Sequence, residues 1–143
     1  MERDVLNRKL ESLRRCIARI ESKRPIRPDV LRVHDDLQDI IALNLERAVQ
    51  TCVDIAAHVI SQTELPVPST MGEGFARLAE LRVIPPQVAA SLQQAVAFRT
   101  ILVHNYTNIN WDIVASILTH HLTDFVQFAQ AIDRLNNDND QQS

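Results

Sequence analysis

Apolar residues at the start of the chain recur at helical spacing. Leu6, Leu10, Leu13, Ile17 and Ile20 follow intervals of four, three, four and three, a narrow seam on a helix over residues 3–23. Arg and Lys fill its other faces. Pro25 and Pro28 end it, because proline cannot continue a helical hydrogen-bond ladder. Asp29 is placed to cap a second helix over 30–61, with Val33, Leu37, Ile41, Leu45, Ala48, Cys52, Ile55 and Val59 along one side. At 1.5 Å per residue that helix spans roughly 45 Å and reads as the spine of the domain.

Pro66 and Pro68 mark a loop. Thr70-Met71-Gly72-Glu73 fits a capping box for a third helix over 71–82, with Phe75 and Leu78 inward. Pro85-Pro86 breaks that helix and opens a fourth, whose inner face is Val88, Leu92, Ala95 and Phe98. Asn108 or Asn110 can cap a fifth, with Asp112 near its positive end and Ile117 or Leu118, Leu122, Phe125, Ala129 and Ile132 as its stripe. Residues 136–143 are rich in Asn, Asp and Gln and read as a frayed tail. The expectation is one all-α domain over 1–135, an antiparallel up-and-down bundle of about five helices. The seam of the first helix and the length of the second suit pairing with another copy. They equally suit the core of a monomer, and periodicity leaves both readings open.

Composition narrows the class. The chain has 143 residues, 45% of them apolar, enough for a core, and only 2 Gly against 6 Pro. That glycine count excludes most β-sandwiches, and neither GxGxxG nor GxxxxGK[ST] occurs. Cys16 and Cys52 are too few for a disulfide framework or zinc site and read as small buried hydrophobes. No signal-peptide pattern and no run of roughly 18 apolar residues is present. A cytoplasmic location, no membrane contact and no cofactor or metal are expected.

The net charge of −3 argues against nucleic acid until it is divided. Residues 1–28 carry nine Lys/Arg and four acids, a net of +5, and residues 29–143 carry six and fourteen, a net of −8. Thirteen of the fifteen basic residues are Arg, the better fork for phosphate. The basic arm suits an RNA backbone or an acidic partner. It equally suits a solvated helix pairing with the chain's own acids.

The densest chemistry lies in Phe98-Arg99-Thr100-Ile101-Leu102-Val103-His104-Asn105-Tyr106. Arg99 sits in an apolar run, where a cation needs a partner or ligand. A guanidinium can hold a phosphate bidentately, and an imidazole can move a proton near neutral pH. Together they could cleave RNA without metal: the ribose 2′-OH attacks phosphorus, His104 assists proton transfer and Arg99 stabilises the phosphoryl oxygens. The same residues could instead cap a helix end. Five residues on an unbroken helix turn through about 140°, so Arg99 and His104 converge only if the helix ends near His104 or two copies pool their motifs.

The string R-x4-H-x-Y, here Arg99…His104-Asn105-Tyr106, resembles the signature of the HEPN superfamily. In particular it is similar to the HepT-like ribonuclease toxins of HEPN–nucleotidyltransferase toxin–antitoxin pairs. Leu45-Glu46-Arg47-Ala48-Val49-Gln50, Asp54 to Ile60, and Leu78-Ala79-Glu80-Leu81 ahead of Ile84-Pro85 extend the similarity over most of the chain. The resemblance implies a metal-independent endoribonuclease acting on tRNA or mRNA as a homodimer, with both motifs facing one cleft. It implies Arg99 and His104 as the catalytic pair. It also implies a nucleotidyltransferase antitoxin that adds AMP to Tyr106. Thr100 stands where many members carry Asn, Asp or His, and keeps the position polar. AMP on Tyr106 would place a phosphate charge and a base beside Arg99 and repel RNA. The alternative is a non-catalytic helical subunit that helps a nucleotidyltransferase bind its substrate.

Other residues have two readings each. Thr100 and Asn105 are possible supports of the motif. Asp54 and His58, four apart on one helix face, are either supports near Arg99 or an ordinary pair. His120-His121 lacks a third ligand at metal spacing, and His34 beside Asp35-Asp36 reads as solvated. Trp111 packs at a helix start or lines the cleft.

Overall fold

Leu6, Leu10, Leu13, Ile17 and Ile20 are all buried, so the seam of the first helix is core within a single chain. The computed structural model describes residues 2–142, with side chains from Asp4 to Asp138. Among the described residues there are seven α-helices: α1 Glu2–Glu21, α2 Pro28–Leu31, α3 Asp35–Ser61, α4 Glu73–Glu80, α5 Pro86–His104, α6 Trp111–His120 and α7 Leu122–Gln142. A 3-10 turn, Tyr106–Asn108, joins α5 to α6.

The spine is α3. Its 27 residues reach about 40 Å, and it packs against α1, α4, α5 and α7. Ile41, Leu45, Ala48, Cys52, Ile55 and Val59 are buried along it, as the periodicity predicts. Phe75 of α4 meets Phe128 of α7 edge to face, with ring centroids 5.8 Å apart. Gly74 lets α4 approach α3 closely: a Cβ there would lie 3.2 Å from that of Ala56. Cys16 and Cys52 are free and buried, and burial pushes both thiols above their ordinary range, so they act as apolar fillers.

Two of the expected long helices are each divided. The one expected over 30–61 breaks between Leu31 and Asp35. His34 adopts an extended conformation there, and its Nδ1 accepts the Leu37 N–H at 3.0 Å. It caps α3 rather than standing merely solvated, with Asp35 and Asp36 in the favoured first turn. Asp29 is not the cap; its carboxylate pairs with Arg27 at 2.9 Å. Val33, expected inward, is 78% exposed in this break. The fifth expected helix divides at His121, whose ring Nδ1–H donates to the Asp124 carboxylate at 3.0 Å. At the His34 break the apolar pattern misleads, since Val33 faces solvent, while at His121 the buried stripe continues from Leu118 to Leu122 across the break and periodicity does not register it.

The helix expected over 71–82 ends at Glu80. There the Val83 N–H donates to the Leu78 carbonyl and the Arg82 N–H to that of Ala79, a Schellman stop with Arg82 at φ 60°. The capping box is shared. Glu73 N–H donates to Thr70, while the Glu73 carboxylate accepts from both the N–H and hydroxyl of Ser69. The α7 helix runs on to Gln142, where a frayed tail from Asn136 was expected. Asn136 is buried, and its amide donates to Asn7 at 3.0 Å.

Candidate active site

The chain around the motif follows from its helix signals. Pro86 starts α5 with no orphaned donor. The helix continues unbroken through His104, and Asn105 leaves it at φ −141°, its N–H bonded to Ile101. Asn110 then caps α6, accepting from the N–H groups of Asp112 and Ile113 at 3.0 and 3.3 Å. Buried Ile109 anchors the turn between these two helices.

Arg99 is half-buried, with 21% of its side chain exposed. Its guanidinium lies 3.8 Å from the Glu46 carboxylate of α3, and its Nε is buried without a protein partner. A single long ion pair leaves most of its donors free to turn toward an anion. His104 is exposed in the last turn of α5. Because α5 does not break before it, the two side chains diverge by about 140° within one chain.

Tyr106 opens the 3-10 turn. Its phenol donates to the Asp39 carboxylate of α3 at 2.5 Å. Its ring meets Trp111 edge to face at 5.9 Å, so Trp111 packs against the motif. Burial first, then the hydrogen bond to Asp39 and the charges of Asp39 and Asp35, push the phenol up to about 12. It is therefore a neutral donor at physiological pH.

These contacts show that α5 runs antiparallel to α3, with the motif over the beginning of α3. Asp54 and His58 lie about 12 and 18 Å further along α3 than Glu46 at helical rise. The structure does not bring them to Arg99. Asp54 accepts from Gln50 at 2.9 Å, and the His58 Nε2 is buried with no protein partner. Thr100 is exposed and its hydroxyl bonds back to Val96 at 3.3 Å; Asn105 accepts from Asn108 at 3.0 Å. Asp39 and Glu46 went unrecognised in the sequence. Their signal was present: seven residues apart, they share one face of the spine.

The basic arm is partly neutralised. Arg14 pairs with Asp133 at 3.7 Å, Arg15 with Glu11 at 2.9 Å, and Arg24 donates to the Leu118 carbonyl at 2.8 Å. Among the described residues no group of three or more His, Cys, Asp or Glu could hold a metal ion, and no helix is long and apolar enough to cross a membrane.

Residues 13–132 match the family described as Ribonuclease HepT-like. The chain belongs to that family. It is 36% identical over 131 residues to the mRNA nuclease HepT of Shewanella oneidensis, covering 90% of this chain and 96% of the relative. It superposes with a TM-score of 0.85 and 34% identity on the tri-AMPylated Shewanella oneidensis HEPN toxin solved in complex with its MNT antitoxin. That match covers 92% of this chain and 98% of the toxin. YutE, a Bacillus subtilis cytosolic protein of unknown function, shares the fold alone at 14% identity and a TM-score of 0.81. The all-α bundle is thus HEPN-like, and the motif of this HepT-like chain sits where α5 passes into α6.

Proposed function

We propose that this HepT-like ribonuclease is the toxin of a toxin–antitoxin pair, a metal-independent endoribonuclease of the cytoplasm acting as a homodimer on mRNA or tRNA. The observation that carries the reading is the state of Arg99: half-buried, loosely paired and with donors to spare, five residues before an exposed His104 on the same helix. Arg99 holds the scissile phosphate and stabilises charge on its oxygens. His104 moves the proton of the attacking 2′-OH or of the leaving oxygen. Since the two diverge on one continuous helix, a pair of chains facing across their α5 ends supplies an arginine and a histidine to each phosphate. Family membership favours this nuclease over a non-catalytic binding subunit.

The antitoxin is a nucleotidyltransferase, and Tyr106 is the AMP acceptor. Its 39% exposure leaves the phenol accessible, and the modified residue would carry a phosphate into the Arg99 region. The tri-AMPylated relative supports that reading. The purified chain in EDTA is expected to cleave RNA and leave 2′,3′-cyclic phosphate ends. Cleavage only with added divalent metal, or none by the unmodified chain, overturns the assignment.

A further inference from the structure

Tyr106 is held from two sides. Its ring stands edge-on to Trp111, and its phenol donates to Asp39, a contact spanning 67 residues of sequence. A phenol this exposed could hydrogen-bond to water instead, yet it faces a carboxylate at 2.5 Å. The nuclease chemistry assigned to Arg99 and His104 has no use for Asp39, and a carboxylate near a phosphate site disfavours RNA. Its place at the phenolic oxygen suits a reaction at that oxygen.

We propose that Asp39 is the general base for adenylylation of Tyr106, so that the chain supplies a catalytic carboxylate to its own modification. The inference rests on Tyr106 being the acceptor. The Tyr106 oxygen forms a bond to the α-phosphorus of ATP. The bond from that phosphorus to the bridging oxygen breaks, and pyrophosphate leaves with the electron pair. The phenolic proton passes to Asp39 Oδ1.

A neutral phenol is a weak nucleophile, and its oxygen grows acidic as it bonds to phosphorus. A base already at hydrogen-bond distance takes the proton in that transition state, typically worth about 10²–10⁴-fold in rate. The phenol, pushed up to about 12, holds its proton at neutral pH and must lose it during the reaction. The charged groups acting on it from α3 are Asp39 and Asp35. His104 precedes it by two residues, and Asp112, beside Trp111, is engaged by Arg32 at 2.8 Å.

The test follows AMP addition by intact mass and peptide mapping. The full chain is mixed with saturating cognate nucleotidyltransferase, ATP and magnesium across the acidic to neutral range. Wild type is expected to take AMP on Tyr106, with a rate that falls toward acid pH. Asp39→Asn keeps the shape and the acceptor oxygen; it is expected to react about 10²-fold more slowly or worse and to lose the acid limb. Asp39→Glu should regain part of both. Circular dichroism and co-elution with the antitoxin check each variant's fold. Asp39→Asn modified at the wild-type rate, or slowed with its acid limb intact, overturns the base assignment. AMP mapped in wild type to a residue other than Tyr106 overturns the acceptor reading itself, whatever the Asp39 variants do.

Discussion

Helices α1 and α5 are nearly equal in length, 20 and 19 residues, yet they handle their apolar side chains in opposite ways. In α1 five apolar residues form one stripe, all of it covered by α3 and α7. The last turns of α5 put Ile101 and Val103 in solvent, 44% and 42% exposed, while Arg99 is only 21% exposed. The first helix is complete within its own chain. At the end of the fifth, Leu102 is buried but Ile101 and Val103 flank it in solvent while the charged Arg99 is mostly covered, which fits the proposed pairing of two chains across this end.

The strongest way to break this comparison is to separate the two motif side chains. Arg99→Ala and His104→Ala should each lower RNA cleavage by about 10²-fold or more. When the two variants are dissociated, mixed and reassociated, activity should return, because a mixed pair rebuilds one arginine–histidine site. A mixture as inactive as its components would put the whole site in one chain.

The next test sets core against rim. Leu13→Ala should cost about 2–5 kcal/mol in urea unfolding, since it opens a cavity in the covered stripe. Ile101→Ala should change the unfolding of the isolated chain by no more than about 0.5 kcal/mol. It should instead weaken self-association in sedimentation equilibrium. The reverse ranking would undo the contrast between the helices. Asn110→Ala removes the cap that joins the motif turn to α6 and should cost about 1 kcal/mol.

The smallest effect concerns pH. Hydrogen bonds from Ser69, then from Arg77, lower the Glu73 carboxyl from 4.5 to about 2. Its contribution is therefore present above 4.5 and lost as pH falls through about 2. Glu73→Gln should flatten the acid side of the stability profile and leave the neutral side nearly level. A variant profile with the wild-type acid slope would show that this carboxylate does not set it.

Much of the fold was legible because burial follows spacing. The inward residues of α1, and those of α3 from Ile41 onward, lie at helical intervals, and Asn110 has the side chain a cap requires. The breaks at His34 and His121 were not legible. Each is made by an imidazole that bonds locally, to Leu37 or Asp124, in the middle of an apolar pattern that reads on through it in the sequence. At the site, Arg99, His104 and Tyr106 stood out as polar groups at the end of an apolar run. Their partners did not, because Glu46 and Asp39 are ordinary acids on a helix far off in sequence. Only the antiparallel docking of α5 on α3 brings them into reach. Asp54 and His58 share a helix face four residues apart, but spacing says nothing of which neighbour that face meets, and that same docking leaves them toward the other end of α3.

The hydrogen bond between Tyr106 and Asp39 also has a direction in time. It exists only while the phenol keeps its hydrogen. A tyrosine carrying AMP has no hydrogen left to donate and would meet that carboxylate with a second negative charge. The clasp that presents the residue would thus be undone by its own modification, and the decorated turn would be pushed away from α3. Such a latch opens in one direction. If Tyr106 is the acceptor, as proposed, restoring it would require removing the nucleotide, not merely losing the partner that added it.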